Sequence, residues 1–353
     1  MSRFLASRFS SLDAYVPGEQ PSDLEYIKLN TNEMPYPPPD AVISLVTNEA
    51  ERLNLYPNPD GTALIDEIAG LYDVKPENVI IGNGSDELLA FAFLAFFEGG
   101  VIFPDITYGF YPVYAKLYDV PYVEVPLADD LSINISDYIG NGKNIVIANP
   151  NAPTGIVLGL DSIEEIVQSN PDHIVLIDEA YIDFGANSAI SLTKKYDNLL
   201  IIHTYSKARS MAGARLGYAI ASSAVIEDIN KMKYSFNPYN VNRLSQVLGA
   251  AAIKEEPYFI EKRNEIIRVR EYTRDHLKVL GFILTDSKAN FLFCKHPDIS
   301  GFELYSKLKS MGILIRQWNK PRISDYVRIT IGTEEQMNAL LDAVKAILER
   351  YGH

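Results

Sequence analysis

A few side chains in the middle of the chain have types and positions that could do chemistry. Lys207 ends the segment His203-Thr204-Tyr205-Ser206-Lys207, just beyond the apolar run Leu199–Ile202. Desolvated at the end of a buried strand, its amine would be a nucleophile toward a carbonyl. Asp178 closes the run Ile174–Ile177, and Tyr181 comes three residues later. A carboxylate at such a strand end would pair with a protonated nitrogen. Val79–Ile81 leads into Gly82-Asn83-Gly84-Ser85-Asp86-Glu87, and Arg215 lies in Ala212-Gly213-Ala214-Arg215-Leu216-Gly217-Tyr218. The glycines permit a tight turn, Ser85 can cap, and the free N–H groups of a first helical turn form an anion site. Taken singly, each feature is ordinary, since glycine turns, acidic strand ends and surface lysines are common.

What would give them joint meaning is a scaffold that sets several strand ends side by side. Short apolar, β-branched runs recur at Val79–Ile81, Val101–Phe103, Tyr122–Val125, Ile145–Ala148, Ile174–Ile177 and Leu199–Ile202. Helix-prone stretches such as Ser85–Phe97, Tyr108–Leu117 and Ser162–Ser169 lie between them. Continuously apolar strands separated by helices predict a doubly wound, mostly parallel α/β sheet covered on both faces. In such a sheet, ligands gather outside the carboxyl ends of the strands.

After residue 240 the texture changes. Val241–Lys254 and Pro257–Leu280 read as long helices, succeeded by strands at Phe282–Leu284, Asn290–Cys294, Ile313–Gln317 and Tyr326–Ile331 and helices at Gly301–Met311 and Thr333–Tyr351. Thr333 with Gln336 three residues on is a capping box for the last helix. The expected organisation is an N-terminal arm over 1–50, a large α/β domain over 51–240 and a smaller α+β domain over 241–353.

Composition narrows the function classes. The 353 residues are 47% hydrophobic and 22% charged, which gives a folded globular chain without a disorder signature. The formal charge of −14 repels nucleic acid and anionic lipid surfaces. Cys294 is the single cysteine, so there is no intrachain disulfide and a reducing cytoplasm is expected. The run Leu88–Phe97 is too short to span a bilayer. MSRFLASRFSS carries arginines and serines without acids but no apolar core of a secretory signal, and it is read as an arm. The histidines His173, His203, His276, His296 and His353 show no metal-ligand spacing, so no metal site is expected. Gly82-Asn83-Gly84 lacks the third glycine of a dinucleotide fingerprint.

An anion-binding turn, an acid, a lysine and a nearby arginine at successive strand ends are together what pyridoxal phosphate requires. Lys207 would form the Schiff base, and Asp178 would pair with the pyridine nitrogen and keep it protonated as an electron sink. Ser85 and Asp86 at the helix start, with Ser206 and Arg215, would hold the cofactor phosphate. Tyr108, just beyond Val101–Phe103, would stack on the ring. The released Lys207 amine would then carry the proton at the substrate α-carbon.

The motifs Asn149-Pro150-Asn151-Ala152-Pro153-Thr154-Gly155, Asp178-Glu179-Ala180-Tyr181 and Ser206-Lys207 followed by Gly213-Ala214-Arg215-Leu216-Gly217 resemble the fold-type-I pyridoxal-phosphate aminotransferases. The likeness is nearest to the histidinol-phosphate aminotransferases, on Leu29-Asn30-Thr31-Asn32-Glu33, Leu55-Tyr56-Pro57, Thr107-Tyr108-Gly109, Ile315 to Lys320 and Val327 to Thr333. It runs along nearly the whole chain. The resemblance implies Thr204 beside the phosphate, Tyr181 near the ring hydroxyl, and a homodimer in which Tyr56 reaches the phosphate of the other subunit. It also implies Arg328 on the α-carboxylate of glutamate and the phosphate of histidinol phosphate. Arg316, at the end of another strand, would pair bidentately with a carboxylate or phosphate or else form a structural ion pair, and Asn32 and Tyr15 of the arm are further candidates for the substrate side. One departure stands out: Ala152 occupies the position before Pro-Thr-Gly where the family's ring-hydroxyl asparagine usually sits. Asn151, one residue early, is nominated as its substitute, with Tyr181 sharing the role.

The function implied is amino transfer between histidinol phosphate and 2-oxoglutarate in histidine biosynthesis. An aromatic amino acid aminotransferase or a decarboxylase of a phosphorylated amino acid would share the same anchor residues. A metabolite-sensing regulator would need a nucleic-acid-binding appendage, and no basic helix-turn-helix segment is present.

Overall fold

The computed structural model describes residues 2–10, 12–21 and 25–349. Its centre is a seven-stranded sheet built from β2 (Val79–Gly82), β3 (Val101–Pro104), β4 (Tyr122–Val125), β5 (Asn144–Ala148), β6 (Val175–Asp178), β7 (Leu199–Thr204) and β8 (Gly217–Ile220). A short strand, β1 (Ile27–Lys28), precedes them. The spatial order is β2-β8-β7-β6-β5-β3-β4, and β8 alone runs against its neighbours. All six apolar runs read from the sequence are strands here. The antiparallel β8 is not among them, because Gly217 and its polar approach read as part of the arginine loop.

Along each central strand, alternate side chains enter two separate cores, as the two-residue period dictates. Ile145, Ile147, Val175, Ile177 and Ile201 face the layer formed by α3 (Thr62–Tyr72), α6 (Leu160–Ser169) and α8 (Arg243–Lys254). Val146, Leu176, Leu200 and Ile202 face α4 (Ser85–Phe96), α5 (Tyr111–Leu117) and α7 (Ser223–Phe236). Two short helices, α1 (Asp40–Ile43) and α2 (Leu45–Ala50), lead into this unit. This is the doubly wound arrangement, with every central strand buried on both faces.

The second unit holds β9 (Ile283–Leu284), β10 (Phe291–Lys295), β12 (Arg316–Gln317) and β13 (Val327–Thr330) in the antiparallel order β12-β13-β10-β9. Packed against it are α9 (Glu256–Val279), α10 (Gly301–Ser310) and α11 (Glu334–Glu349). The expected capping box forms, with Gln336 N–H donating to Thr333 Oγ1 at 3.3 Å and Thr333 N–H to Gln336 Oε1 at 3.0 Å. Tyr351, the expected end of that helix, lies outside the described residues. The single strand expected over Ile313–Gln317 is two: β11 (Ile313–Leu314) pairs in parallel with β1, and β12 pairs with β13.

The change of unit does not fall at residue 241. Ala252, Ile253 and Phe259 pack in the large core, whereas Ile266, Val269 and Leu277 pack in the small one. The 24-residue α9 therefore bridges both, and a texture change in the sequence marks the start of helices rather than the start of a separate core.

Candidate active site

At the carboxyl end of the sheet, β5, β6 and β7 lie in register with Ala148 opposite Asp178 and Asp178 opposite Ile202. Directly above them is a cavity of about 390 Å³. Lys207, Asp178, Tyr181, Thr204 and Ser206 line it from β6 and β7 and the turns after them; Ser85, Asp86, Tyr108 and Arg215 line it from the other side. Nine of the residues singled out from the sequence thus converge on one space, drawn from positions 85 to 215.

One end of the cavity suits an anion. Helix α4 starts at Ser85 after Gly84 at φ 79°, and no side chain caps it, so its first N–H groups are open. Arg215 stands over them. A Cβ on Gly84 would fall 2.6 Å from Arg215 Nη2, and one on Gly217 would fall 2.5 Å from Ser85 N. Both glycines therefore keep a cradle open that any side chain would fill. The Asp86 carboxylate braces this end, accepting from Tyr108 Oη at 2.8 Å and from Arg215 Nη2 at 3.0 Å.

The floor is Asp178. Burial pushes its carboxyl up to about 6, against the hydrogen bonds from Tyr111 Oη at 3.0 Å and Ala180 N–H at 3.2 Å. A buried carboxylate to which no cation is bonded among the described residues, aimed at a cavity, is set to receive a protonated ring nitrogen. The Lys207 amine is nearby, 5.7 Å from the Tyr181 ring centre, and among the described residues donates to the Thr31 carbonyl alone, at 3.3 Å.

A second cavity, of about 250 Å³, shares Lys207, Tyr108, Tyr181 and Thr31 with the first and runs under the arm toward the small unit. Tyr15, Asn32, Arg316 and Arg328, the four residues named for the substrate side, line it. Tyr15 stacks on Phe110 with 4.1 Å between ring centres. Burial raises its phenol above the usual range, although Arg316 and Arg328 pull it down. Arg328 gives one N–H to the Asn30 carbonyl at 2.9 Å, while its buried Nε has no partner. Arg316 is its direct cross-strand neighbour. Two cations facing each other across a strand pair repel.

Two of the expected residues are not at these cavities. The Asn151 carboxamide is turned inward: Nδ2 donates to the Ile106 carbonyl at 2.9 Å and to Thr154 Oγ1 at 3.2 Å, while Oδ1 accepts from Thr107 Oγ1 at 2.8 Å. It has no N–H left to donate to a cofactor, and its neighbour Ala152 lines both cavities. Tyr56 is 77% exposed, stacks on Tyr239 with 4.5 Å between ring centres, and lines neither cavity. Asn32 lines the second cavity, yet its amide is already used, donating to Tyr181 Oη at 2.9 Å and accepting from Thr330 Oγ1 at 3.0 Å.

The matching family model, aminotransferase class I and II, covers residues 25–344. The chain belongs to the class I and II aminotransferases. A histidinol-phosphate aminotransferase from Brachyspira hyodysenteriae is 50% identical over 99% of this chain and all of that one. Among solved structures, the histidinol-phosphate aminotransferase from Clostridium acetobutylicum is 26% identical with a TM-score of 0.85, over 92% of this chain and 99% of that one. The one from Sinorhizobium meliloti, solved in complex with pyridoxal-5'-phosphate, matches in fold with a TM-score of 0.87 at 23% identity, over 98% of this chain and all of that one.

As an aminotransferase, the chain also carries residues that the sequence motifs did not single out. Trp318 and Lys320 line the second cavity, and Tyr111 reaches Asp178. Trp318 and Lys320 lie inside a quoted motif, but nothing in their spacing shows which way they point. Tyr111 lies in the helix-prone stretch Tyr108–Leu117, and nothing in that stretch shows which group it meets.

Proposed function

We propose that this aminotransferase moves the amino group of histidinol phosphate to 2-oxoglutarate, giving imidazole-acetol phosphate and glutamate in histidine biosynthesis, with pyridoxal phosphate as cofactor. The observation that carries the substrate class is the charge of the second cavity. Among the described residues lining it are four cations, Lys207, Arg316, Lys320 and Arg328, and no carboxylate. In a chain of formal charge −14, that concentration of uncompensated positive charge favours a substrate with several negative charges. A phosphate ester or a dicarboxylate supplies them, and relieves the repulsion between Arg316 and Arg328.

The residues fit the cofactor. The uncapped α4 N-terminus, with Ser206 and Arg215, would hold its phosphate, the cradle at Gly84 and Gly217 leaving room; Asp178 would face the ring nitrogen; Tyr108 would cover the ring face; and Tyr181, held by Asn32, would donate to the ring hydroxyl. When bound, the cofactor supplies the electron sink for the substrate's α-carbon electrons. Asp178 keeps the proton on the ring nitrogen. The Lys207 amine, freed when the substrate amine takes its place, is positioned to remove the proton at the substrate α-carbon and return one. Arg328 would bind and orient the α-carboxylate of glutamate and the phosphate of histidinol phosphate, and Arg316 with Lys320 would attract that phosphate. Tyr15 and the arm around it would cover the substrate and exclude water.

The active form is proposed to be a cytoplasmic homodimer in which Tyr56 enters the neighbouring subunit's phosphate site. Supporting this, Leu53, Leu55, Tyr56, Phe236 and Tyr239 are all exposed apolar residues, and the two tyrosines stack on each other. An apolar exposure of that size marks a contact surface. No helix among the described residues is long and apolar enough to cross a membrane.

The deciding experiment is the visible spectrum of the protein loaded with pyridoxal phosphate, before and after histidinol phosphate is added without a keto acid. Conversion of the cofactor to its amine form is the expected result. A band indifferent to histidinol phosphate refutes the substrate while leaving the cofactor site standing.

A further inference from the structure

Tyr111 does not line either cavity and takes no part in the steps above. It is fully buried at the first turn of α5, surrounded by Phe93, Phe103 and Tyr108. A hydroxyl in such surroundings is costly unless it is bonded. Its one bond goes to Asp178 Oδ2 at 3.0 Å, while the other carboxylate oxygen accepts the Ala180 N–H at 3.2 Å. Among the described residues no other side chain donates to Asp178. One donor on each oxygen fixes the plane of the carboxylate. The same ring stands edge-on to Tyr108, at 5.7 Å and 84°, behind the residue assigned to the cofactor's face.

We propose that Tyr111 is a positioning residue: its phenol sets the orientation of the Asp178 carboxylate toward the ring nitrogen, while its ring backs Tyr108. The proposal rests on the role given to Asp178 above. A phenylalanine would fill the same space, so the hydroxyl's contribution is the bond itself. Besides Tyr111, the groups facing Asp178 are Asp86 across the cavity, which disfavours its charge, His203 on β7, which favours it, and Lys207 and Tyr181 in the cavity wall.

Tyr111→Phe tests this without using turnover. In the cofactor-free protein, the titration midpoint of Asp178 can be followed by its carboxyl carbon resonance, assigned by its absence in Asp178→Asn. Losing a hydrogen bond to a charged oxygen moves that midpoint up by about one pH unit. At pH 8, where the carboxylate is ionised in both proteins, the dissociation constant for pyridoxal phosphate rises about tenfold through lost orientation. In an Asp178→Asn background the same substitution changes that constant by less than about twofold. A midpoint and a dissociation constant that both stay put overturn the proposal. So does a tenfold loss that persists in the Asp178→Asn background, which means that the hydroxyl acts on cofactor binding by a route other than the Asp178 carboxylate. If Asp178→Asn by itself leaves the dissociation constant unchanged, the role given to Asp178 fails, and positioning by Tyr111 with it. The midpoint, measured without cofactor, still reports whether the contact exists.

Discussion

The two walls of the site are built differently. On the large-unit side, Asp178, Thr204 and Ser206 are buried at or just past the ends of central strands; Asp178 accepts from the Tyr111 phenol on α5 and the Ala180 N–H, and Thr204 Oγ1 from the Ser206 N–H. On the small-unit side, the cations rest on backbone carbonyls. Arg316 donates to Val16 and Pro17 at 3.2 Å each, Arg328 to Asn30 at 2.9 Å, and Lys320 to Asp105 at 2.6 Å. A carbonyl is a neutral acceptor that water or a substrate oxygen can replace at little cost. Apart from the Lys207 amine, which rests on the Thr31 carbonyl at 3.3 Å, the chemistry is therefore held by buried groups with fixed partners, and recognition by groups that can change partners.

The hardest test of the fixed wall is Lys207→Ala. Removing the amine that carries the α-proton should lower turnover by roughly three to four orders of magnitude. Steady-state rates read the loss, and borohydride reduction followed by mass spectrometry should find no cofactor joined to the chain. A reduced adduct at another lysine would move the nucleophile out of β7's turn and dissolve the contrast.

The movable wall should fail in a different way. Arg328→Gln removes the guanidinium of the second cavity whose buried Nε has no partner among the described residues, and kcat/KM for glutamate and for histidinol phosphate should each fall about 10²- to 10³-fold. Cofactor affinity should stay within about twofold, since additivity holds for sites without shared partners. Equilibrium dialysis showing equal loss of cofactor would mean that the two walls are one unit.

Asp178 shows what the fixed wall costs before the cofactor arrives. Its folded carboxyl is raised to about 6 by burial, whereas an unfolded one titrates near the usual carboxylate range. Below about pH 4 both forms are protonated and nothing is lost. Between about 4 and 6 the unfolded chain gives up the proton first, so the stability of the cofactor-free protein declines as pH rises, by on the order of 2–3 kcal/mol, and the loss is complete above 6. Asp178→Asn removes that penalty. Its cofactor-free form should melt a few degrees higher than the parent at pH 8 and no higher at pH 4, in scanning calorimetry at the two pH values.

These two walls were not equally legible in the sequence. Strand periodicity exposed β2 to β7, and Ser85, Asp178 and Lys207 stood out at or just past the ends of those strands, because a parallel sheet puts its strand ends in one place whatever the loops do. The antiparallel β8 and the division of Ile313–Gln317 between β11 and β12 depend on which sheet a strand joins, and no local pattern carries that. Asn151 illustrates the limit at single-residue scale. Its type was right for a donor, but Ile106, Thr107 and Thr154 occupy its amide, and those partners come from a separate loop and from the turn itself. Tyr111 is the converse case: the helix that carries it was readable, the hydrogen bond of its phenol to Asp178 was not.

Lys320 gives the smallest and sharpest separation. Its ammonium sits at the rim of the second cavity, bonded to the Asp105 carbonyl, while its neighbour Arg322 pairs with the Asp105 carboxylate at 3.0 Å. The loop is thus anchored by Arg322 whether or not Lys320 is engaged, which leaves the lysine free to exchange a carbonyl for a phosphate oxygen. Lys320→Met keeps most of the aliphatic stem and deletes the charge. KM for histidinol phosphate should rise about fivefold, the worth of one exposed charge pair, with kcat unchanged and the KM for glutamate within about twofold. Unphosphorylated histidinol, as a poor substrate, should not distinguish the variant from the parent. A matching rise for glutamate would place Lys320 with Arg328 as a general anion anchor. A fall in kcat would place it with the fixed wall, where removing a group disturbs the reacting atoms themselves.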